Sequence, residues 1–233
     1  MATLNEILYE VRGLLRNNRL SDDDRLDNRQ IEKWVVTQRA LWVKNLLGKS
    51  ARPPHAIVQD LGCVATALAD PAECCDFDTN CKVMRTSVEI PRTIEISGFD
   101  GITRIGSVDK FQTEYLYVDY ERSHWAGGGY FNSRAIIATR LNDYIYIISR
   151  SPSDYFKYLS HINIRGVFED PRTVSAFTRC TGEACFSPDT EYPIPEALWV
   201  FMKGQIVESN FGILTSVLSD KTNDADSKEV QKA

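Results

Sequence analysis

No window of the chain reaches the ~18 uninterrupted apolar residues of a membrane-spanning helix, so the sequence carries no span of that kind. The opening MATLNEILYEVRGLL lacks the positive region, apolar run and small-residue cleavage site of a signal peptide. On that reading the six cysteines are expected as reduced thiols rather than as a disulfide framework. Excess positive charge is missing too. Lys and Arg total 27 against 32 Asp and Glu, a net charge of −5, which argues against a protein that coats nucleic acid.

Histidine is scarce. A Cys or Ser nucleophile needs a base that a third group orients, and only His55, His124 and His161 are available. His124 precedes Trp125 at a glycine-rich tip and His161 opens an apolar strand, so neither sits in a catalytic motif. Gly127-Gly128-Gly129 lacks the GxGxxG spacing, the lysine and the following helix of a phosphate cradle, and reads as a loop tip. Acidic runs such as Asp22-Asp23-Asp24 read as solvated turns. No catalytic residues and no bound cofactor are therefore assigned.

What is present begins with a local concentration of cysteine. AECCDFDTNC, residues 72–81, places Cys74, Cys75 and Cys81 around Asp76, Asp78 and Asn80. The Asp/Asn alternation imitates the start of an EF-hand loop. The imitation then fails, because Cys81 stands where that loop needs glycine and Ser87 where it needs the bidentate glutamate. Zinc requires two close pairs of Cys or His, and Cys74 or Cys75 with Cys81, plus Cys180 with Cys185, could supply them at loose spacing. The other reading is a compact loop of small packed thiols, with Cys63 in an apolar run as a core residue. No metal ligands are assigned between these alternatives.

At 233 residues the chain is long enough to bury a core without staples. Thr3-Leu4-Asn5-Glu6 reads as a capping box before the apolar stripe Leu4, Ile7, Leu8, Val11, Leu14 and Leu15. Asp27 reads as the N-cap of a second helix whose stripe is Ile31, Trp34, Val35, Leu41 and Trp42, with Arg29, Lys33, Arg39 and Lys44 on other faces. The two form a hairpin of helices. From Arg52-Pro53-Pro54 the texture becomes β: VEIPRTIEI, ITRIGSV, YLYVDY, RAIIATRL, DYIYIIS and HINIRGVF, punctuated by turns and without intervening helical patterns. After Pro193 and Pro195 a closing helix is expected, with Leu198, Phe201, Met202, Ile206, Phe211 and Leu214 on its apolar face.

The expected class is α+β. Its parts are an N-terminal helical hairpin over 1–50, a mainly antiparallel β insertion with the cysteine loop over 51–190, a closing helix over 191–218 and a polar, flexible tail over 219–233. The helices of the two chain ends pack together, with the sheet projecting from them. Aromatic residues are the remaining signal: Tyr115, Tyr117 and Tyr120, then His124-Trp125 near Tyr130, then Tyr144 and Tyr146. They read either as contact surface for a partner or as a tyrosine-rich sheet packed on itself.

Together TLNEILYEVRG, NRQIEKWVVTQRALWVKNLL, IVQDLGCV, AECCDFDTNC, VEIPRTIEI, GITRIGSVD, INIRGVFEDP and FSPDTEYPIP resemble the neck, or head-to-tail connector, proteins of tailed bacteriophages. They are most similar to the virion ring proteins of crAss-like short-tailed phages. The resemblance implies a structural, non-enzymatic virion protein assembled in the bacterial cytoplasm and placed in the phage neck or tail. It implies a ring, commonly of twelve copies, in contact with the portal protein and other neck or tail proteins. Such a ring continues the DNA channel and lets double-stranded DNA pass during genome ejection, with no membrane contact. It also favours a structural thiol loop at 72–81. A small zinc-binding module or enzyme organised around Cys74, Cys75, Cys81, Cys180 and Cys185 is the alternative.

Overall fold

The structure, a computed structural model, describes residues 2–15, 27–49, 52–69, 83–96, 100–109, 111–123, 125–126, 135–149 and 159–218, with backbone only at 149 and 210–218. The cysteine loop 72–81, His124, Gly127–Gly129, Tyr130, Asp22–Asp24 and the tail 219–233 lie outside the described residues.

Helix α1 spans Leu4–Leu15. Its start is closed reciprocally: the Thr3 N–H donates to Glu6 Oε2 at 2.8 Å and the Glu6 N–H to Thr3 Oγ1 at 3.2 Å. Leu4, Ile7, Leu8, Val11 and Leu15 face inward. Helix α2 spans Asn28–Lys49, and Asp27 caps it by accepting the Arg29 N–H at 3.2 Å. Its buried row steps by four: Ile31, Val35, Arg39, Val43 and Leu47. This corrects the expected stripe. Leu41 is 53% exposed and Trp42 only partly buried, whereas Arg39 is fully buried. Such a row drifts around an α-helix by about 40° per step, so the apolar face ends elsewhere than a short-range reading places it.

Among the described residues eight strands follow: β1 Gln59–Asp60, β2 Val64–Leu68, β3 Met84–Thr86, β4 Ile102–Ser107, β5 Leu116–Tyr117, β6 Ile136–Leu141, β7 Tyr144–Ser149 and β8 His161–Gly166. Their order is β1-β8-β2-β3-β7-β6-β5, with β4 on the other edge of β8. All pairings are antiparallel except β5 with β6, which run parallel. The β6–β7 hairpin turns on Asn142 and Asp143, whose φ values of 49° and 62° are the left-handed pair of a tight two-residue hairpin. The stretch VEIPRTIEI is not a strand. Among the described residues it makes isolated bridges, one of them Thr93 to Phe168, rather than a ladder, since Pro91 interrupts the donor row. A four-residue helix α3, Tyr120–Ser123, follows β5, and helix α4, Glu196–Leu218, closes the chain.

The sheet does not project from the helices. Val11 of α1, Ile31 and Val35 of α2, Met202 and Ile206 of α4 and Ile105, Ile147, Ile162 and Ile164 of the sheet belong to one buried cluster. Each such aliphatic side chain contributes ~1.5–3 kcal/mol by leaving water. The N-terminal segment is also tied to the residues before α4. Thr3 bridges Glu191, the Tyr192 N–H donates to Ala2 O at 3.1 Å, and Asn5 Nδ2 donates to Asp189 Oδ1 at 2.7 Å. Trp199 Nε1 donates to Glu10 Oε2 at 3.0 Å, and Lys203 pairs with the same carboxylate, holding it below the usual carboxylate range.

Candidate interaction surface

The segment joining β4 to β6 is the part of the sequence richest in candidate contact residues, and the backbone of its described part, up to Ala126, is held by hydrogen bonds. Ser107 and Thr113 close its first turn, the Ser107 N–H donating to Thr113 O at 2.9 Å and the Thr113 N–H to Ser107 Oγ at 3.3 Å. Asp109 Oδ1 accepts the Phe111 N–H at 3.1 Å. The backbone passes so close to Gly106 that a Cβ there would meet Thr113 O at 2.5 Å, which is why glycine stands there. On this ordered turn Phe111 is 98% exposed. Farther along, the Trp125 N–H donates to Arg122 O at 3.0 Å, and Trp125 is 85% exposed.

The structure separates the aromatics that the sequence presents as one group. Tyr115 is buried and anchors the segment, its N–H donating to Ile105 O at 2.8 Å. Tyr117 is half-buried against the core and its hydroxyl donates to the Asp100 carboxylate. Burial pushes the Asp100 carboxyl up, against the lowering by the Ile102 N–H and the Arg140 charge. Tyr144 is also half-buried, with the Arg85 guanidinium 4.3 Å above its ring. Tyr120 is exposed, while Tyr146 is not fully so. Within the described part of this segment the exposed aromatics are thus Phe111, Tyr120 and Trp125, with Tyr9 on α1 and Phe201 on α4 exposed elsewhere, and Phe111 was absent from the sequence reading.

Two of the three described cysteines depart from the reduced-thiol expectation. Cys63 and Cys180 form a disulfide with Cα atoms 5.2 Å apart, 117 residues apart in sequence. The segment Thr178–Ala184 folds back as a small loop, with the Cys63 N–H on Thr178 O at 3.0 Å and the Arg179 N–H on Glu183 O at 2.7 Å. This geometry brings Cys63, remote in sequence, to Cys180. The zinc pairing of Cys180 with Cys185 therefore loses its first sulfur. Cys185 keeps its thiol and packs against Gly62, where a Cβ would lie 2.8 Å from its Sγ. Both cysteines line a cleft of about 670 Å³ together with His55, Asp60, Asn163 and Arg179. His161 stands elsewhere, exposed on β8, its Nδ1 3.0 Å from Ser160 Oγ. Among the described residues no three His, Cys, Asp or Glu side chains gather as a metal site.

A second polar feature lies beneath the helices. Arg39 Nε donates to Pro193 O and Nη1 to Phe168 O, each at 2.9 Å, and the Tyr192 ring lies 5.9 Å away. Burial lowers the Arg39 pKa, and burial raises that of Tyr192 to about 12. Beside them Arg172 grips Asp170 and Glu32, both at 2.8 Å. Burial pushes the Asp170 carboxyl up, but the side-chain and backbone hydrogen bonds from Arg172 and its charge outweigh this and leave it low. Burial and backbone carbonyl partners make this a fastener of the fold, joining α2 to the segments around Phe168 and Pro193.

The arrangement is suited to binding: large aromatics displayed on hydrogen-bonded backbone, with the ion pairs committed to holding elements together. No helix among the described residues is long and apolar enough to cross a membrane. The family model for phage tail ring protein 2 of crAss-like phages matches residues 6–230. No curated protein matches the chain.

Proposed function

Because the chain belongs to the family of phage tail ring protein 2, a structural component of the virion tail, we propose that its copies close into a ring at the junction of head and tail. The family match over nearly the whole chain carries this reading. Twelve copies suit it, since that number would repeat the portal's symmetry. The ring would rest against the portal or a neighbouring neck ring and continue the DNA channel, releasing the genome at ejection. A net charge of −5 suits a wall past which phosphate must slide, because dense Lys and Arg contacts would hold DNA. The core shared by the helices of the two chain ends and the sheet would form the body of each subunit, with the Asp109–Trp125 segment reaching its neighbours. Cysteines enter this reading only as structural groups.

Cryo-electron microscopy of whole virions, with this protein located by a fused tag, tests the proposal. The expected result is density for a closed ring in the neck or tail, with DNA or a channel along its axis. Particles assembled without the protein are expected to leak their genomes. Infectious particles that lack it altogether would overturn the reading.

A further inference from the structure

A closed ring of more than two copies related by rotation brings two different patches of the chain together at every contact. The structure offers two surfaces with opposite character. On α2 the exposed residues Arg29, Lys33, Thr37, Leu41, Lys44 and Gly48 succeed one another at steps of three or four, forming one stripe along the 22-residue helix. The stripe is cationic. The α2 acid, Glu32, is turned to Arg172 at 2.8 Å, and the side chains of Arg29, Lys33 and Lys44 have no ion pair among the described residues.

Leu41 and Lys44 also border a groove of about 810 Å³, floored by Val36, Ala40 and Ile94 and flanked by Arg92. Most carboxylates at that groove are already engaged. Asp143 is held by Arg140 at 2.7 Å, Glu95 by the same guanidinium at 3.5 Å, and Asp170 by Arg172 at 2.8 Å. Glu169 remains, outnumbered by Lys44 and Arg92.

The segment Asp109–Trp125 has the opposite sign. Asp109, Glu114, Asp119 and Glu121 are exposed on it, and against them the segment's sequence carries Lys110 and Arg122, which leaves it acidic by two charges. Arg122 lies 3.8 Å from Asp119, leaving Glu114 and Glu121 without an ion pair among the described residues. Phe111 and Trp125 stand out among these carboxylates at 98% and 85% exposure.

We propose that these surfaces meet between successive copies: the Asp109–Trp125 segment of one subunit docks on the α2 stripe and groove of the next. The aromatic rings cover Leu41 and the groove floor, while Glu114 and Glu121 face Lys33, Lys44 and Arg92. A phosphate backbone would satisfy the cations of α2. It would leave Leu41 and the apolar floor bare, and Phe111 and Trp125 without a partner. A second copy satisfies all of them. Two buried aromatics supply ~300–500 Å², a large share of the ~800 Å² that one partner contributes to a stable interface. Opposite charges give the contact its register and direction.

This inference rests on the ring reading, and a charge-swap experiment separates the two. Phage lacking its own copy is complemented with wild type, K33E/K44E, E114K/E121K, or the fourfold combination, and copies per virion are counted by quantitative mass spectrometry. Each two-residue reversal is expected to lower incorporation at least tenfold, and the combination to restore it to within about twofold of wild type. Melting temperatures of the purified subunits identify folded variants. Any variant that melts well below wild type is replaced by its glutamine counterpart, K33Q/K44Q or E114Q/E121Q, expected to lose incorporation without rescue. Normal incorporation of folded single-surface variants, or no rescue by the folded combination, overturns this contact. So does K33E/K44E that incorporates fully yet yields particles with altered genome retention, an outcome that assigns the stripe to DNA. In those cases the ring reading stands if wild-type protein still forms a ring in virion images.

Discussion

Arg39 shows how one buried charge organises the helical side of the molecule. Its Nε and Nη1 reach two carbonyls, Pro193 O and Phe168 O, from separate segments. Lysine has a single point of attachment and cannot reproduce this fork. Arg39→Ala leaves both buried carbonyls short of a donor and opens a cavity, and is expected to cost ~3–5 kcal/mol in chemical denaturation. Arg39→Lys is expected to cost ~1–3 kcal/mol by the same measurement. A loss under ~1 kcal/mol for the alanine variant would contradict the buried clamp. Asp100 gives a test in pH. Its pKa is raised in the fold, so between the ordinary carboxylate value and the raised one the unfolded chain has released a proton that the folded chain holds. Its stabilising contribution is therefore complete below the ordinary value and is lost as pH rises through the folded one. Asp100→Asn removes that slope, and is expected to gain on wild type in denaturant midpoints between pH 4 and pH 7. Glu10, lowered chiefly by its hydrogen bond from Lys203, has the opposite sign, losing its contribution as pH falls. Both proteins share it, so their difference isolates Asp100.

At the scale of elements, long periodic segments were legible and short ones were not. The capping box of α1, the hairpin at Asn142-Asp143 and the helix after Pro195 all carry local chemistry that decides their conformation. By contrast β1, β2 and β3 have two, five and three residues, and exist because β8 and β7 offer paired edges. Nothing within Gln59–Leu68 announces that partnership. VEIPRTIEI has strand composition, yet Pro91 leaves it with isolated bonds such as the Ile94 N–H to Val167 O at 2.9 Å. Arg39 was misplaced because a polar residue in the row Ile31, Val35, Val43, Leu47 looks like an interruption, while its carbonyl partners lie more than a hundred residues away. For the contact surface, sequence showed a concentration of aromatics but could not sort buried Tyr115 from exposed Trp125. The Cys63–Cys180 link was equally hidden by distance along the chain. Closing a loop of that length restricts the unfolded chain, and the double variant Cys63→Ser, Cys180→Ser is expected to lose ~2–4 kcal/mol in unfolding experiments without reductant. Reductant should lower wild type towards the variant and leave the variant unchanged.

At the scale of the whole molecule, the helices of the chain ends and the sheet share one buried core among the described residues. In the ring proposed above, such subunits would carry load through their cores, with adjustment left to the contacts between them. The stitching of Thr3 to Glu191 and of Glu10 to Trp199 has a consequence during synthesis. The inward face of α1 leaves the ribosome early, but the residues of the closing helix that complete its cover emerge some 190 codons later, roughly 10–40 s at ~5–20 residues per second. Throughout that delay Ile7 and Val11 lack the partners that the closing helix supplies, and the core is incomplete until Trp199, Met202 and Ile206 arrive. Completion of the polypeptide thus acts as a timer: nascent chains already carry the segments that would join neighbours, but not yet the body that holds those segments in place.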